Sequence, residues 1–73
     1  MSTVTIGSVY KHYKGMMYYV LGIAKHSETL EDMVVYVPLY VNDTASLWVR
    51  PISMFTENVT VDGVQQPRFT EII

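Results

Sequence analysis

Side chains alternate with a period of two along most of this chain, and no helical period replaces that pattern for long. Gly7 to Lys14 alternates well enough for a first strand, with Gly15 as the turn residue that follows. Met16 to Lys25 predicts a second strand, with Met17, Tyr19, Leu21 and Ile23 on one face and Tyr18, Val20, Gly22 and Ala24 on the other. The polar run His26 to Glu31 breaks the pattern and predicts a loop or a single helical turn. Asp32 to Val41 follows as a third strand, its Met33, Val35, Val37, Leu39 and Val41 opposed to Val34, Tyr36, Pro38 and Tyr40. Asn42-Asp43-Thr44-Ala45 is a turn cluster. Leu47 to Ile52 forms a fourth strand, which Pro51 ends or places at an edge. Ser53 to Asn58 has room for one 3₁₀ turn capped by Ser53. Asp62-Gly63 between two valine-rich arms predicts a two-residue hairpin, and Arg68 to Ile73 a short terminal strand.

Five or six short strands in one domain over residues 1–73 predict a mostly β protein, a small partly open barrel of the SH3-like kind with one short 3₁₀ turn. A ferredoxin-like fold would need two long amphipathic helices, for which there is no room. Val, Ile and Thr fill 23 of 73 positions, which is strand composition. The second and third strands are apolar on both faces, whereas a half-buried strand should alternate apolar with polar. A single-layer barrel buries one set only. The set Tyr18, Val20, Val34, Tyr36 and Tyr40, taken as outward, would then form an exposed patch of the kind that marks a contact. At this length the gain from burial and the conformational cost are each about 110 kcal/mol. A chain so close to break-even favours a homo-oligomer, with a symmetric dimer as the default.

Composition narrows the function classes. Without cysteine there is neither a disulfide scaffold nor thiolate catalysis. The longest uncharged apolar run, Gly15 to Ala24, is too short for a membrane span, and the N-terminus lacks the basic and apolar regions of a signal peptide. A cytoplasmic protein is expected. The formal charge of −2 argues against a duplex-DNA binder, which normally presents a basic face. It leaves room for a small anion held by one or two arginines.

Candidate chemistry is sparse. His12 and His26 with Glu28 and Glu31 match no zinc spacing, and no metal or cofactor is expected. A capped turn, in which His26, Ser27 and Thr29 satisfy loop backbone groups, explains the second histidine as well. A nucleophilic Ser27 lacks the elbow and oxyanion hole that acyl transfer needs. Arg50 and Arg68, the two arginines of the chain, each sit beside a proline and near a ring, Trp48 before the first and Phe69 after the second. A guanidinium fork suits carboxylate or phosphate and stacks on rings. Each arginine could instead staple a strand end to Glu28, Glu57 or Glu71. Six tyrosines exceed what a small core requires, and Tyr10, Tyr13, Tyr18, Tyr36 and Tyr40 could stack on a purine or line a subunit contact.

Several phrases occur together: Tyr10-Lys11-His12-Tyr13-Lys14-Gly15, Ala24-Lys25-His26-Ser27-Glu28-Thr29, Val34-Val35-Tyr36 with Leu39-Tyr40, Trp48-Val49-Arg50-Pro51, Met54-Phe55 and Pro67-Arg68-Phe69. In this order they resemble a small bacterial and phage family known as domain of unknown function 1653, over about Gly7 to Ile72. The resemblance implies an SH3-like barrel and no activity. The turn Val41 to Ser46 looks longer than the family pattern. The leading expectation is a non-enzymatic homo-oligomer whose subunit-interface pocket binds an anionic, nucleotide-like molecule through Arg50, Arg68, Lys14, His12, His26, Glu28, Tyr10, Tyr36, Trp48 and Phe69. By analogy of size and chemistry, small phage proteins that sequester nucleotide immune signals form a fitting class. One alternative is an SH3-like module for a protein segment or single-stranded nucleic acid. Another is a nucleotide hydrolase using His12, His26 and Glu28.

Overall fold

The structure, a computed structural model, describes residues 3–44 and 46–73. Two antiparallel sheets carry the chain. A five-stranded sheet has the order β4-β3-β2-β1-β7, built from β1 (Val9–His12), β2 (Met17–Lys25), β3 (Asp32–Pro38), β4 (Trp48–Pro51) and β7 (Phe69–Glu71). A two-stranded hairpin joins β5 (Asn58–Val61) to β6 (Val64–Pro67), and one helical turn, α1 (Ile52–Phe55), links β4 to β5. The mostly β expectation holds, with seven strands rather than five or six, and the sheets remain unclosed. Among the described residues no helix is long and apolar enough to cross a membrane.

Local chemistry explains the boundaries. Asp62 and Gly63 both have positive φ, 52° and 78°, the pairing a type I′ hairpin turn demands. Gly15, at φ 104°, closes the β1–β2 turn where a side chain would be strained. In the β2–β3 turn, His26 Nδ1 accepts the Glu28 N–H at 3.1 Å, and Thr29 Oγ1 accepts the Glu31 N–H at 3.2 Å. The capped-turn reading of this segment therefore holds for His26 and Thr29. Asn42 Oδ1 accepts the Thr44 N–H at 2.9 Å, an Asx turn at the expected place, although Ala45 lies outside the described residues. The expected 3₁₀ turn capped by Ser53 is corrected: the turn is α-helical, starts at Ile52 directly after Pro51, and has no side-chain cap. Pro51 fixes the extended entry, and Thr56 closes the exit by donating its hydroxyl to the Ile52 carbonyl at 2.8 Å.

Register decides what faces inward. One row runs Glu71, Tyr10, Tyr18, Pro38; a second Val20, Tyr36, Trp48; a third Ile23, Val34, Arg50. Val20 and Val34 are fully buried and Tyr36 nearly so, and with Tyr10, Phe55 and Phe69 they make up the core. The assignment of Tyr18, Val20, Val34, Tyr36 and Tyr40 as the outward set is thus inverted. The helical turn lays Phe55 across this face, and a sheet buries the side that has a partner layer. A register shift between Val20 and Gly22 leaves Leu21 as the extra residue and aligns Ile23 with Val34. Met17, Tyr19, Leu21 and Ile23 consequently do not share one face.

Candidate functional site

Tyr18 is the centre of a ring cluster on the inner face. Its ring meets Tyr36 at 5.2 Å, Tyr40 at 5.5 Å and Phe69 at 5.8 Å, all edge to face. Its hydroxyl lies 2.9 Å from the Tyr40 hydroxyl. Burial, then the hydrogen bond to Tyr40, push the Tyr18 phenol well above its ordinary value, so it remains protonated. Phe69 in turn stacks flat on Phe55, with centroids 4.0 Å apart.

Positive charge gathers against these rings. Arg50 Nε donates to the Tyr36 hydroxyl at 3.3 Å, and its guanidinium carbon stands 5.9 Å from the Phe69 centroid. No carboxylate among the described residues pairs with Arg50, which is half-buried. Arg68 behaves differently. Its Nη2 donates to Glu57 Oε1 at 2.7 Å, its N–H to the Glu57 carbonyl, and its own carbonyl accepts from Tyr13. The strand-end staple is therefore the observed role of Arg68 and not of Arg50. Two buried donors, Arg68 Nε and Trp48 Nε1, find no acceptor among the described groups. A buried donor left in that state costs about 1–3 kcal/mol.

His12 sits inside the same field. Its ring is 4.9 Å from Phe69 and 4.5 Å from Tyr13, and its Nδ1 accepts the Lys14 N–H at 3.1 Å, which leaves Nε2 as the protonated nitrogen. Burial first, then the charges of Arg50, Arg68 and Lys14, hold its pKa below the ordinary 6.5. Between that lowered value and 6.5 the unfolded chain binds more protons, so stability is full above 6.5 and falls as pH drops through the window. His12→Asn keeps an acceptor for the Lys14 N–H but cannot titrate. Thermal melts of both proteins from pH 8 to pH 5 are expected to show a decline below about 6.5 that is shallower in the variant; parallel curves would contradict this placement.

The remaining candidates scatter. Tyr10 is a core residue, edge-on to Phe55 at 5.3 Å, and its hydroxyl accepts the Thr5 N–H. Trp48 packs against the core opposite Tyr36, and Lys14 is exposed with its Nζ 5.8 Å from the Tyr13 ring. His26 and Glu28 occupy the β2–β3 turn. His12 flanks the start of β2 and His26 its end, and nine strand residues separate those ends by about 30 Å. The histidine–glutamate constellation required of a hydrolase is not assembled. The cluster also draws in Tyr18 and Tyr40, which were candidates only as stacking rings or outer wall. Among the described residues no three His, Asp or Glu groups converge on a metal position. Phe69 also lines a cavity of about 250 Å³ with Thr3, Val4, Tyr10, Phe55 and Thr56. Among the described residues no charged side chain lines that cavity. Within one protomer Arg50 and His12 meet the rings of Tyr36 and Phe69.

The site thus sits on a small two-sheet β domain whose helical turn α1 covers the inner face and whose Arg50 stands among the rings of that face. The sequence profile of the protein family of unknown function DUF1653 matches residues 8–71, and the chain belongs to that family. The crystal structure of a DUF1653 protein from Bordetella bronchiseptica is similar, with 37% identity, a TM-score of 0.86, and coverage of 93% of this chain and 87% of that one. Among proteins of curated function none matches the chain.

Proposed function

We propose that the inner-face cluster binds a small anionic, nucleotide-like molecule without transforming it. The observation that carries this reading is Arg50. It is a half-buried guanidinium oriented by Tyr36 and Phe69, and no carboxylate among the described residues neutralises it. A partly desolvated cation without an internal partner is unfavourable alone and favourable once an anion completes it. The guanidinium fork of Arg50 suits acceptor oxygens, and the tyrosine rings suit a base or ribose. Held without turnover, such a molecule is sequestered, a role consistent with small phage proteins that blunt nucleotide immune signals.

An anion held by Arg50 also offsets that arginine's repulsion of His12. Its pKa rises on binding, so affinity strengthens as pH falls below 6.5 while the free protein weakens. Thermal shift and calorimetry against AMP, cyclic dinucleotides and ADP-ribose test the reading. Stabilisation by at least one, with the ligand recovered intact after heat release, is expected. No stabilisation by any of them at millimolar concentration contradicts it, and turnover would place the chain among hydrolases.

A further inference from the structure

The opposite face of the large sheet lacks the polar side chains that a solvated sheet face carries. Its cross-strand rows read Val9–Tyr19–Val37, Gly22–Val35–Val49 and Ala24–Met33–Pro51, and only the row of Lys11 and Thr70 is polar. Tyr19, Leu21 and Val49 are 37%, 47% and 57% exposed. From this face we infer that a second copy of this chain packs on it, outer sheet to outer sheet, in a symmetric dimer.

Three observations select that occupant. The protomer exposes 5022 Å², whereas a folded monomer of this mass averages about 4,600 Å², so it has surface to spare for a partner. The face measures about 24 Å across five strands and about 18 Å along them. That footprint supplies more than half of the ~800 Å² a standard interface buries per partner, and exposed Leu21, Leu39 and Leu47 extend it. The third is charge: a face with a single lysine carries no pattern with which to select a foreign partner, but it suits a copy of itself. Edge-to-edge pairing is disfavoured, because β4 ends in Pro51 and β7 is three residues long. The dimer leaves the ring cluster open on the far side of each sheet, and it stands independently of any ligand reading.

Sedimentation velocity of the full chain from micromolar to millimolar concentration tests this. A species of twice the 8.4 kDa protomer mass is expected, together with a melting temperature that rises with concentration. Val49→Glu sets like charges against each other across the dyad and is expected to weaken association at least 100-fold with an unchanged circular dichroism spectrum. Leu21→Glu, at the bulge, provides the same test should Val49→Glu perturb the edge strand. A protomer at every concentration, or a dimer that survives both folded variants, overturns the inference.

Discussion

Replacing Phe55 with alanine is expected to remove about 3–5 kcal/mol of stability. The ring is 1% exposed, stacks on Phe69 at 4.0 Å, and meets Tyr10 and Tyr36 edge-on at 5.3 and 5.4 Å. It comes from the helical turn α1, so its loss takes away much of what covers the inner face and leaves a ring-sized hole that the five remaining core residues cannot collapse to fill. A 73-residue domain has about 4–11 kcal/mol in all. Urea melts at fixed protein concentration, followed by circular dichroism, are expected to show the variant's midpoint moved to much lower denaturant by that loss. A loss below about 1.5 kcal/mol would mean that the core lies elsewhere.

Arg50→Gln is the second large effect, and it falls on affinity. A hydrogen bond to a charged group contributes about 1.5–3 kcal/mol, so binding of a nucleotide anion should weaken about 10- to 150-fold. Arg50→Lys should rescue little, because the ammonium keeps the charge and loses the planar fork held by Tyr36. Folding should hardly change, since Arg50 closes no ion pair among the described residues. Arg68→Gln is expected to behave in the opposite way: it breaks the 2.7 Å pair with Glu57 that closes the open end of the β5–β6 hairpin, and so lowers stability by about 1 kcal/mol. Calorimetry and melts on the two variants separate these roles. Equal effects of both on affinity would contradict the division.

Strand positions were legible because alternation and turn chemistry are local. Asp62-Gly63 dictates its hairpin without reference to the rest of the chain, and Gly15 does the same for β1 and β2. Facing was not legible. Both sides of β2 and β3 are apolar, so period two predicts two sets without saying which one α1 covers, and the inversion of Val20, Val34 and Tyr36 follows. The bulge at Leu21 compounds this, since one extra residue exchanges the faces of everything after it. At the site, the two arginines were recognisable by scarcity and aromatic neighbours. His26 and Glu28 have the same chemical appeal, but only the length of β2 excludes them from the cluster. Tyr18 and Tyr40 escaped notice as site residues because their meeting depends on Tyr40 lying beyond the end of β3, which no local pattern encodes.

The most direct test reads the Arg50 Nε–H and His12 imidazole resonances by NMR during titration with AMP, cyclic dinucleotides and ADP-ribose. The account predicts that one of these shifts both signals saturably at one equivalent per protomer and raises the His12 pKa, and that the His12 response is lost in Arg50→Gln. Resonances that stay unmoved to millimolar ligand in a folded protein, or a His12 signal that moves equally in wild type and Arg50→Gln, would contradict it.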